Sequence, residues 1–424
     1  MARISPAVLV VASMLFVCGV VSSFAQIEVG LTLEQALTEA LAQNPALAVE
    51  RHEIGIAAGT LRQERLYPFN PELELQGAAG QGRGRGGDNE RRGLNGQGIG
   101  FSQTIWLRGQ RGFRIQAAAA GVDRAAAGVQ NAEREVIGET LQTFGEILVA
   151  QERVALARDL VALATEVHNS AVKLFEADAV PRLDVFRAEV ERNKAQNRLV
   201  AEERNLATAQ RALALLRGRP ATQAIRAEAP LLLPLPTGEP AALQHMALEG
   251  RPDLVAARAA VRAAEAELAL VRAERFFPEV RVGVRYDQAQ EFDSTTRNGL
   301  LALAVPLPIL NRRQGELDRA LAELRRQEAN MHLIQRQIET EVATAYQQVI
   351  ASRRITEAYT SRILPDQNRN FQMLREGYNL GQLSITDVLV GQRELIEARE
   401  AYLEAAATLN AAAAALYRAL NSRP

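Results

Sequence analysis

The segment Tyr378–Leu389 reads YNLGQLSITDVL, and it has a counterpart 203 residues earlier, Phe175–Phe186, which reads FEADAVPRLDVF. In this alignment the Asp184-Val185 pair matches Asp387-Val388. A chain that contains the same short segment twice, almost half its length apart, is typical of an internal duplication.

The correspondence extends over most of the chain. Asn44-Pro45-Ala46-Leu47 matches Arg251-Pro252-Asp253-Leu254 at an offset of 207, and Trp106-Leu107 matches Ile309-Leu310 at 203. The glycine-rich tract between the two matches can absorb the four-residue difference as a loop. The sequence thus predicts a first repeat over residues 26–216, a proline-rich linker over 217–240 and a second repeat over 241–424.

The N-terminal segment, residues 1–25, predicts export. It has an early basic residue, an apolar stretch and small residues before Gln26, which is the layout of a signal peptide cleaved after Ala25; a membrane anchor is the alternative. Cys18, the only cysteine, lies in this segment. Val17 before it is a poor neighbour for acylation, which argues against a lipid anchor there but leaves the question open. The mature chain would have no cysteine, which excludes disulfides and thiol catalysis.

The composition of the chain favours helix and gives no sign of a nucleic-acid partner. Lys and Arg number 49 against 50 Asp and Glu, for a formal net charge of −1, whereas nucleic-acid binders usually carry a basic excess. Alanine and the other strong helix formers are abundant.

Four short strands are predicted, near residues 72–77, 97–103, 279–287 and 299–305. In the third, Val280, Val282, Val284 and Tyr286 alternate with charged or small residues, which is the pattern of a half-buried strand. Arg281 and Arg285 lie on its polar face, where they would line a barrel lumen or simply be solvated. Ordinary surface hairpins are the alternative for all four strands.

Very long helices are predicted after each pair of strands. Ile147, Val154, Val161, His168 and Phe175 recur at seven-residue steps, as do Leu317, Leu324, Met331, Ile338 and Ala345 in the second repeat. A sustained heptad indicates coiled-coil packing. A continuous helix over Gly109–Phe175 would span about 100 Å and would have to project from any compact domain. Pro365 in the second long helix, with Ala162 at the matching position of the first, predicts that the two are bent differently.

Four strands cannot close a barrel by themselves, because the smallest membrane barrels have about eight. If these strands lie in a membrane, several copies must share one barrel, since an open edge in lipid leaves backbone groups unpaired. Two, three or four copies would each give an even number of strands, and the sequence does not choose between them.

The chain resembles the TolC-type outer-membrane efflux proteins, and within them the CzcC-like branch associated with heavy-metal export. The most specific motifs are Arg251-Pro252-Asp253-Leu254, Val305-Pro306-Leu307-Pro308 with the following Asn311–Gly315, and Tyr378-x-x-Gly381 with Asp387-Val388-Leu389. The resemblance implies a mostly α protein with a small β part: a homotrimer in which long helical hairpins form a periplasmic α-barrel and four strands per chain form a shared twelve-stranded β-barrel in outer-membrane lipid. It also implies two partners, a periplasmic adaptor protein and an inner-membrane pump of the resistance-nodulation-division type.

The resemblance places the repeated segments at the periplasmic tips of the helical hairpins. It implies that the adaptor docks there, and the docking residues on the two tips are Phe175, Asp178, Leu183, Asp184, Tyr378, Gly381 and Ser384. Gly381 is expected to stop a helix with positive φ, and Ser384-x-x-Asp387 to begin the next with a capping box. For Asp387 this structural role stands beside a functional one, a ring of three carboxylates at the channel aperture.

No catalytic or metal-binding constellation is present in the sequence. The four histidines form no pair at metal-ligand spacing, so we expect no enzyme and no cofactor. The expected function is a passive outer-membrane exit channel for small solutes, with heavy-metal cations as the expected cargo. An exit duct for drugs or type I secreted proteins is one alternative, and a periplasmic coiled-coil adaptor or scaffold is an alternative of another class.

Overall fold

The computed structural model describes residues 29–83, 91–178, 181–222, 225–276, 278–291, 294–379 and 382–424. The first half contains β1 (Val29–Leu31), α1 (Leu33–Gln43), α2 (Pro45–Arg65), β2 (Glu72–Arg83), β3 (Arg91–Trp106), α3 (Gln110–Glu176), α4 (Arg182–Leu216) and β4 (Ile225–Ala227). The second contains α5 (Pro240–Gly250), α6 (Pro252–Glu274), β5 (Glu279–Glu291), β6 (Ser294–Ala304), α7 (Gln314–Ala358), a π-helical segment (Tyr359–Ile363), α8 (Leu364–Asn379) and α9 (Ile385–Leu420). The expected signal peptide lies outside the described residues.

The order of the elements confirms the internal repeat. Helices α1 and α2 correspond to α5 and α6, the β2–β3 hairpin to β5–β6, and the α3–α4 hairpin to α7–α8 with α9. Asn44 caps α2 by accepting hydrogen bonds from the backbone N–H groups of Ala46 (2.8 Å) and Leu47 (3.2 Å). Its counterpart Arg251 precedes α6 and binds Asp253 through two nitrogens instead.

Helix α3 is the longest element and organises the packing of the others. Its 67 residues correspond to about 100 Å of continuous helix. It packs against α2 and α6 along one part of its length, and against α4 and α9 along the other. Ile147 and Val154 of the predicted heptad are buried, whereas Phe175 at the end of the helix is exposed. The seam is therefore a packed interface that opens towards the tip.

The proline-rich linker is an ordered part of the core, which the sequence did not indicate. Its strand β4 pairs in parallel with β1 near the N-terminus, with Ile225 opposite Val29. Asn410 of α9 is buried and holds the linker backbone from both sides: it accepts from the Leu233 N–H at 2.9 Å and donates to the Leu231 carbonyl at 2.8 Å. These bonds join the linker to the second helical hairpin.

The two helices that follow the sheet begin in the same way, at an offset of 204. Gly109 (φ 74°) and Arg313 (φ 56°) both adopt the left-handed conformation before α3 and α7. The next residue in each case, Gln110 or Gln314, accepts a hydrogen bond from the backbone two positions earlier. The structural correspondence therefore differs by one residue from the sequence offset of 203 that matched Trp106-Leu107 with Ile309-Leu310.

The second long helix is interrupted where the first is continuous. The π-helical segment Tyr359–Ile363 ends two residues before Pro365, and the N–H of Leu364 donates to the Tyr359 carbonyl. Proline has no N–H for the helical ladder, and a π-turn accommodates the displaced backbone. The second long helix is therefore interrupted beside the proline where the first is regular, and the predicted difference in bend stays a prediction. None of the described helices has a stretch long and apolar enough to cross a membrane.

Candidate functional site: an open sheet and two hairpin tips

The sheet is four-stranded and antiparallel throughout, in the order β2-β3-β5-β6. Leu73 pairs with Phe101, Phe101 with Val284, and Val284 with Leu301. Strands β2 and β6 are its edges, and in the described part of the chain neither has a second neighbouring strand on its outer side. The sheet is therefore open on both sides, and β2 and β6 run in opposite directions. This is the geometry in which β6 of one copy could continue antiparallel into β2 of another.

The two faces of the sheet differ in chemistry. Residues that pair across the sheet share a face, so the register defines one apolar face, whose exposed members are Leu73, Leu75, Ile99, Phe101, Val282, Val284, Tyr286, Leu301 and Leu303. Leu301 is 79% exposed, which is far more than a soluble domain tolerates for a whole row of large apolar side chains. The apolar face thus requires a nonaqueous environment.

The opposite face carries a polar network around Arg285. Its Nε donates to Asp287 Oδ1 at 2.8 Å, and its Nη2 donates to Gln76 Oε1. Gln76 in turn donates to Glu74 Oε1 at 2.6 Å. Arg281 lies on the same face, four residues earlier, and is exposed. The structure therefore places both predicted arginines on the polar face, and Arg285 binds two strand residues there, Asp287 and Gln76.

The tip of the second hairpin carries the predicted capping box. The backbone N–H of Asp387 donates to Ser384 Oγ at 3.3 Å, and the N–H and hydroxyl of Ser384 both donate to Asp387 Oδ2, at 2.9 Å and 2.7 Å. The side-chain and then the backbone hydrogen bond from Ser384 lower the pKa of the Asp387 carboxyl. Asp387 is exposed, and its Oδ1 atom is not used by this cap. Tyr378 lies in the last turn of α8, and Gly381 lies outside the described residues.

The tip of the first hairpin differs from that of the second in the residues at the matching positions. Asp178 has φ 54°, so it adopts the left-handed conformation expected of a glycine at the matching position. Pro181 replaces the capping serine and makes no side-chain cap. Asp184, the counterpart of Asp387, is partly buried and lies 3.7 Å from Arg187. The carboxylate of the first tip is thus paired with a basic residue, whereas that of the second tip lies in no ion pair among the residues that the structure describes.

The helices behind the two tips interlock differently. In the second hairpin, a side chain on Gly391 would collide with Leu374 of α8, so α9 carries no side chain where the leucine enters. The residues 203 positions earlier are Ala188 and Ala171, and both are buried. A leucine–glycine pair in one hairpin therefore corresponds to an alanine–alanine pair in the other.

Exposed apolar side chains form a groove between the two tips. Leu183, Phe186 and Val190 of α4 face Leu389 and Val390 of α9. Phe186, Leu183 and Val390 are exposed, and Arg182 lies 5.1 Å above the Phe186 ring. Among the predicted docking residues, Leu183 and Asp184 line this groove, whereas Phe175 is exposed on α3.

Ion pairs between the hairpins were not predicted from the sequence. Arg153 of α3 binds Glu404 of α9 at 2.6 Å, and Arg375 of α8 binds Glu166 of α3 at 3.1 Å. Arg198 of α4 also pairs with Glu400 of α9. No periodicity in the sequence indicates which exposed arginine meets which glutamate, because the pairing depends on how the hairpins pack.

The described residues contain no cluster of three or more side chains suited to a metal ion. His168, which the heptad placed on the α3 seam, is partly buried there, and its Nδ1 atom has no hydrogen-bond partner in the described structure. The candidate site therefore consists of the two sheet faces, the hairpin tips and the groove between them. In the part of the chain that the structure describes, no set of side chains there forms a reactive constellation.

Comparison with known proteins identifies the family. The profile of the family described as "Outer membrane efflux protein" matches residues 36–219 and 243–422. The chain belongs to the outer membrane efflux protein family. This confirms the resemblance inferred from the sequence, and the two matched segments correspond to the two repeats. Proteins of this family act in efflux across the outer membrane, so this chain is assigned to the outer membrane and to transport.

The relatives of this outer membrane efflux protein include a metal-resistance protein. This chain is 26% identical over 373 residues to the cobalt-zinc-cadmium resistance protein CzcC of Cupriavidus metallidurans, and the alignment covers 88% of this chain and 86% of the relative. The crystal structure of CusC aligns with a TM-score of 0.75 at 19% identity over 92% of each chain. The open-state structure of the Neisseria gonorrhoeae MtrE outer membrane channel aligns at 0.70 and 21% identity, over 92% of this chain and 89% of that one. These structural likenesses confirm the predicted fold class.

Proposed function

We propose that this outer membrane efflux protein is the trimeric exit duct of a tripartite pump that exports heavy-metal cations. The observation that carries the proposal is the sheet, which is open at both edges, apolar on one face and polar on the other. Three copies of its four strands would form a closed twelve-stranded barrel with the Arg281 and Arg285 face towards the lumen. Closure would pair every edge group, which lipid requires.

Cross-linking tests the shared barrel. Cys18 is the only cysteine in the sequence, so introduced cysteines give a clean background. Leu75→Cys on β2, combined in turn with Gly299→Cys, Leu301→Cys or Leu303→Cys on β6, should give products of two and three chains for at least one combination. The controls are Leu75→Cys alone and the pair Ile99→Cys with Leu301→Cys. The pair is a control because β3 is an inner strand, so that β2 would separate it from β6 of another copy. Absence of all cross-links in membranes would contradict a closed ring.

Metal cations are the proposed cargo because of the similarity to CzcC, whose name assigns it to cobalt, zinc and cadmium resistance. A strain that lacks this protein should lose tolerance to these three cations and keep its tolerance to lipophilic drugs. Restoring the gene should restore metal tolerance. The opposite pattern, loss of drug tolerance alone, would support the drug duct instead.

The hairpin tips are the proposed docking surface for a periplasmic adaptor, which would connect the duct to an inner-membrane pump of the resistance-nodulation-division type. The apolar groove at Leu183, Phe186 and Val390 offers the exposed area that a helical partner would cover. Phe175, Asp178, Asp184, Tyr378, Gly381 and Ser384 are the other proposed docking residues. Leu183→Asp should abolish copurification of the adaptor while leaving the trimer intact, whereas Val200→Asp, on an exposed position further along α4, should not.

Asp387 is the proposed aperture residue. Its Oδ1 atom is free of the cap, and three copies around an axis would attract cations. Asp387→Ala should reduce the preference of single channels for cations over anions, because the ring of charge is removed. Asp184→Ala is the matched control, since its carboxylate is already paired with Arg187. Unchanged conductance and cation preference in Asp387→Ala would refute the aperture role.

A further inference from the structure

The four turns that join the sheet to the helices share an unusual charge pattern. They are residues 62–66, 107–111, 272–276 and 309–313, and together they contain eight arginines, two glutamates, no lysine and no aspartate. Each turn contributes two of the arginines. The chain as a whole has a balanced charge, so this concentration is local.

These four turns lie at one end of the sheet. Strands β2 and β5 begin there, and β3 and β6 end there, as the pairing of Trp106 with Glu279 and of Arg281 with Ala304 requires. Arg111 of the second turn donates to the backbone carbonyl of Arg65 in the first, which joins neighbouring turns directly. We call this level, where the sheet meets the helices, the junction collar.

Most of the arginines in the junction collar have no acidic partner. Arg313 pairs with Glu274 and Glu316, and Arg275 stacks on Phe276 at 5.4 Å. In the part of the chain that the structure describes, the remaining six lie in no ion pair: Arg62, Arg65, Arg108, Arg111, Arg272 and Arg312. All six are exposed. One of the two glutamates, Glu274, is already occupied by Arg313 and by Arg114, so the collar is strongly positive towards its surroundings.

Each turn of the collar also exposes a large apolar side chain next to its arginines. These are Leu66, Leu107, Phe276 and Leu310, of which Leu310 is 93% exposed. Apolar side chains beside guanidinium groups match a lipid–water boundary, where the former enter the hydrocarbon and the latter remain with the headgroups. The apolar face of the sheet begins at the same level, so the two surfaces are continuous.

We propose that the junction collar binds the phosphate groups of anionic phospholipids in the periplasm-facing leaflet of the outer membrane. Guanidinium groups bind phosphate oxygens in a bidentate manner. A zwitterionic phospholipid brings its own cationic group, whereas an anionic one leaves the positive charge of the collar to be balanced by phosphate alone. The proposal rests on the sheet lying in the outer membrane and is independent of the exported cargo.

The test is lipid selectivity of the full-length protein. The wild type is reconstituted in nanodiscs of phosphatidylethanolamine with a minor fraction of phosphatidylglycerol, and the lipids retained after mild detergent extraction are identified by mass spectrometry. We expect enrichment of phosphatidylglycerol. The triple variant Arg65→Gln, Arg108→Gln and Arg312→Gln should lose at least about fivefold of that enrichment, because each basic residue near an anionic surface contributes roughly this factor.

Two further variants separate charge from folding. Lysine at the same three positions should retain most of the enrichment. The control triple Arg211→Gln, Arg325→Gln and Arg354→Gln removes exposed arginines from the mid-helices and should behave as the wild type. If the collar triple does not reach the membrane, the three single glutamine variants should each show a partial loss.

Three outcomes would overturn the proposal. The first is a wild type without preference for phosphatidylglycerol, and the second is full enrichment in the collar triple or in all its single variants. The third is displacement of the bound lipid by inorganic phosphate, which would show a site for the free anion. Failure to confer metal tolerance would refute the proposed cargo and would leave lipid selectivity untouched, so the two proposals fail separately.

Discussion

At the residue scale, the observed role of Asp387 as the cap of α9 and its proposed role at the aperture use different oxygen atoms. Oδ2 accepts both hydrogen bonds from Ser384 at the start of α9, whereas Oδ1 takes no part in the cap. The sequence predicted the capping box because serine and a carboxylate three residues apart suffice to define it. The pairing of the counterpart Asp184 with Arg187 was not predicted, although the i,i+3 spacing of the two residues on a helix is a local signal for it.

The cap of α9 should depend on pH through Asp387. Because its pKa is lowered from the ordinary value of 3.8, the cap contributes stability fully above that value and loses it as the pH falls through the lower folded pKa. Ser384→Ala removes the side-chain hydrogen bond, the larger of the two that lower the pKa, and keeps the one from the backbone N–H, so the pKa should rise part of the way towards 3.8. Because Ser384 Oγ also accepts from the N–H of Asp387, the start of α9 should fray at all pH values. Hydrogen exchange of the α9 N-terminal peptide, corrected for intrinsic rates, measures this; wild-type protection in Ser384→Ala would contradict it.

The leucine–glycine pair behind the second tip gives a second prediction at this scale. Gly391→Ala places a methyl group against Leu374 and should destabilise the hairpin by about 1–3 kcal/mol through overpacking. Adding Leu374→Ala recreates the alanine pair of the first hairpin, Ala171 with Ala188, and should recover part of the loss. Thermal unfolding in detergent compares the variants; equal midpoints for Gly391→Ala and the wild type would show that the hairpin has room there.

At the scale of elements, the two long helices differ because of one proline. The π-helical segment before Pro365 leaves the α7–α8 helix without the continuous ladder of α3. Pro365→Ala restores the missing N–H and should stabilise the second hairpin, whereas Ala162→Pro introduces the same defect into α3 and should cost about 3 kcal/mol. Thermal midpoints of the two variants should therefore move in opposite directions. A shift in the same direction for both would contradict the assignment of the interruption to proline.

The long helices, the four strands and the repeat could be predicted because each leaves a periodic signal. Heptads, alternation and a fixed offset are all local or self-similar patterns. The pairing of β1 with β4 left none, since three-residue strands are too short for a period and their partner lies nearly 200 residues away. The hold of Asn410 on the linker and the one-residue shift at Gly109 and Arg313 were missed because both depend on tertiary packing.

At the scale of the whole molecule, the faces of the sheet and its open edges determine what the protein requires from its surroundings. The helices are packed around α3 and α9 with a conventional buried core, whereas β6 is exposed along its entire length. In the proposed trimer, lipid covers one face of the sheet and other copies cover its edges. In that assembly the junction collar marks the level at which the environment changes from lipid to water.

This division into faces can be tested at two adjacent residues of β6. Leu301 lies on the apolar face opposite Val284, and Leu300 lies on the polar face opposite Arg285; both are exposed in a single chain. Leu301→Glu puts a carboxylate into lipid and should destabilise the assembled barrel by about 1–2 kcal/mol, somewhat less than an arginine at the same depth. Leu300→Glu faces Arg285 and should be tolerated. The amount of heat-resistant oligomer in the outer-membrane fraction reports both effects. Equal loss for the two variants would mean that both faces meet the same environment, and the sheet could then not be the wall of a water-filled channel.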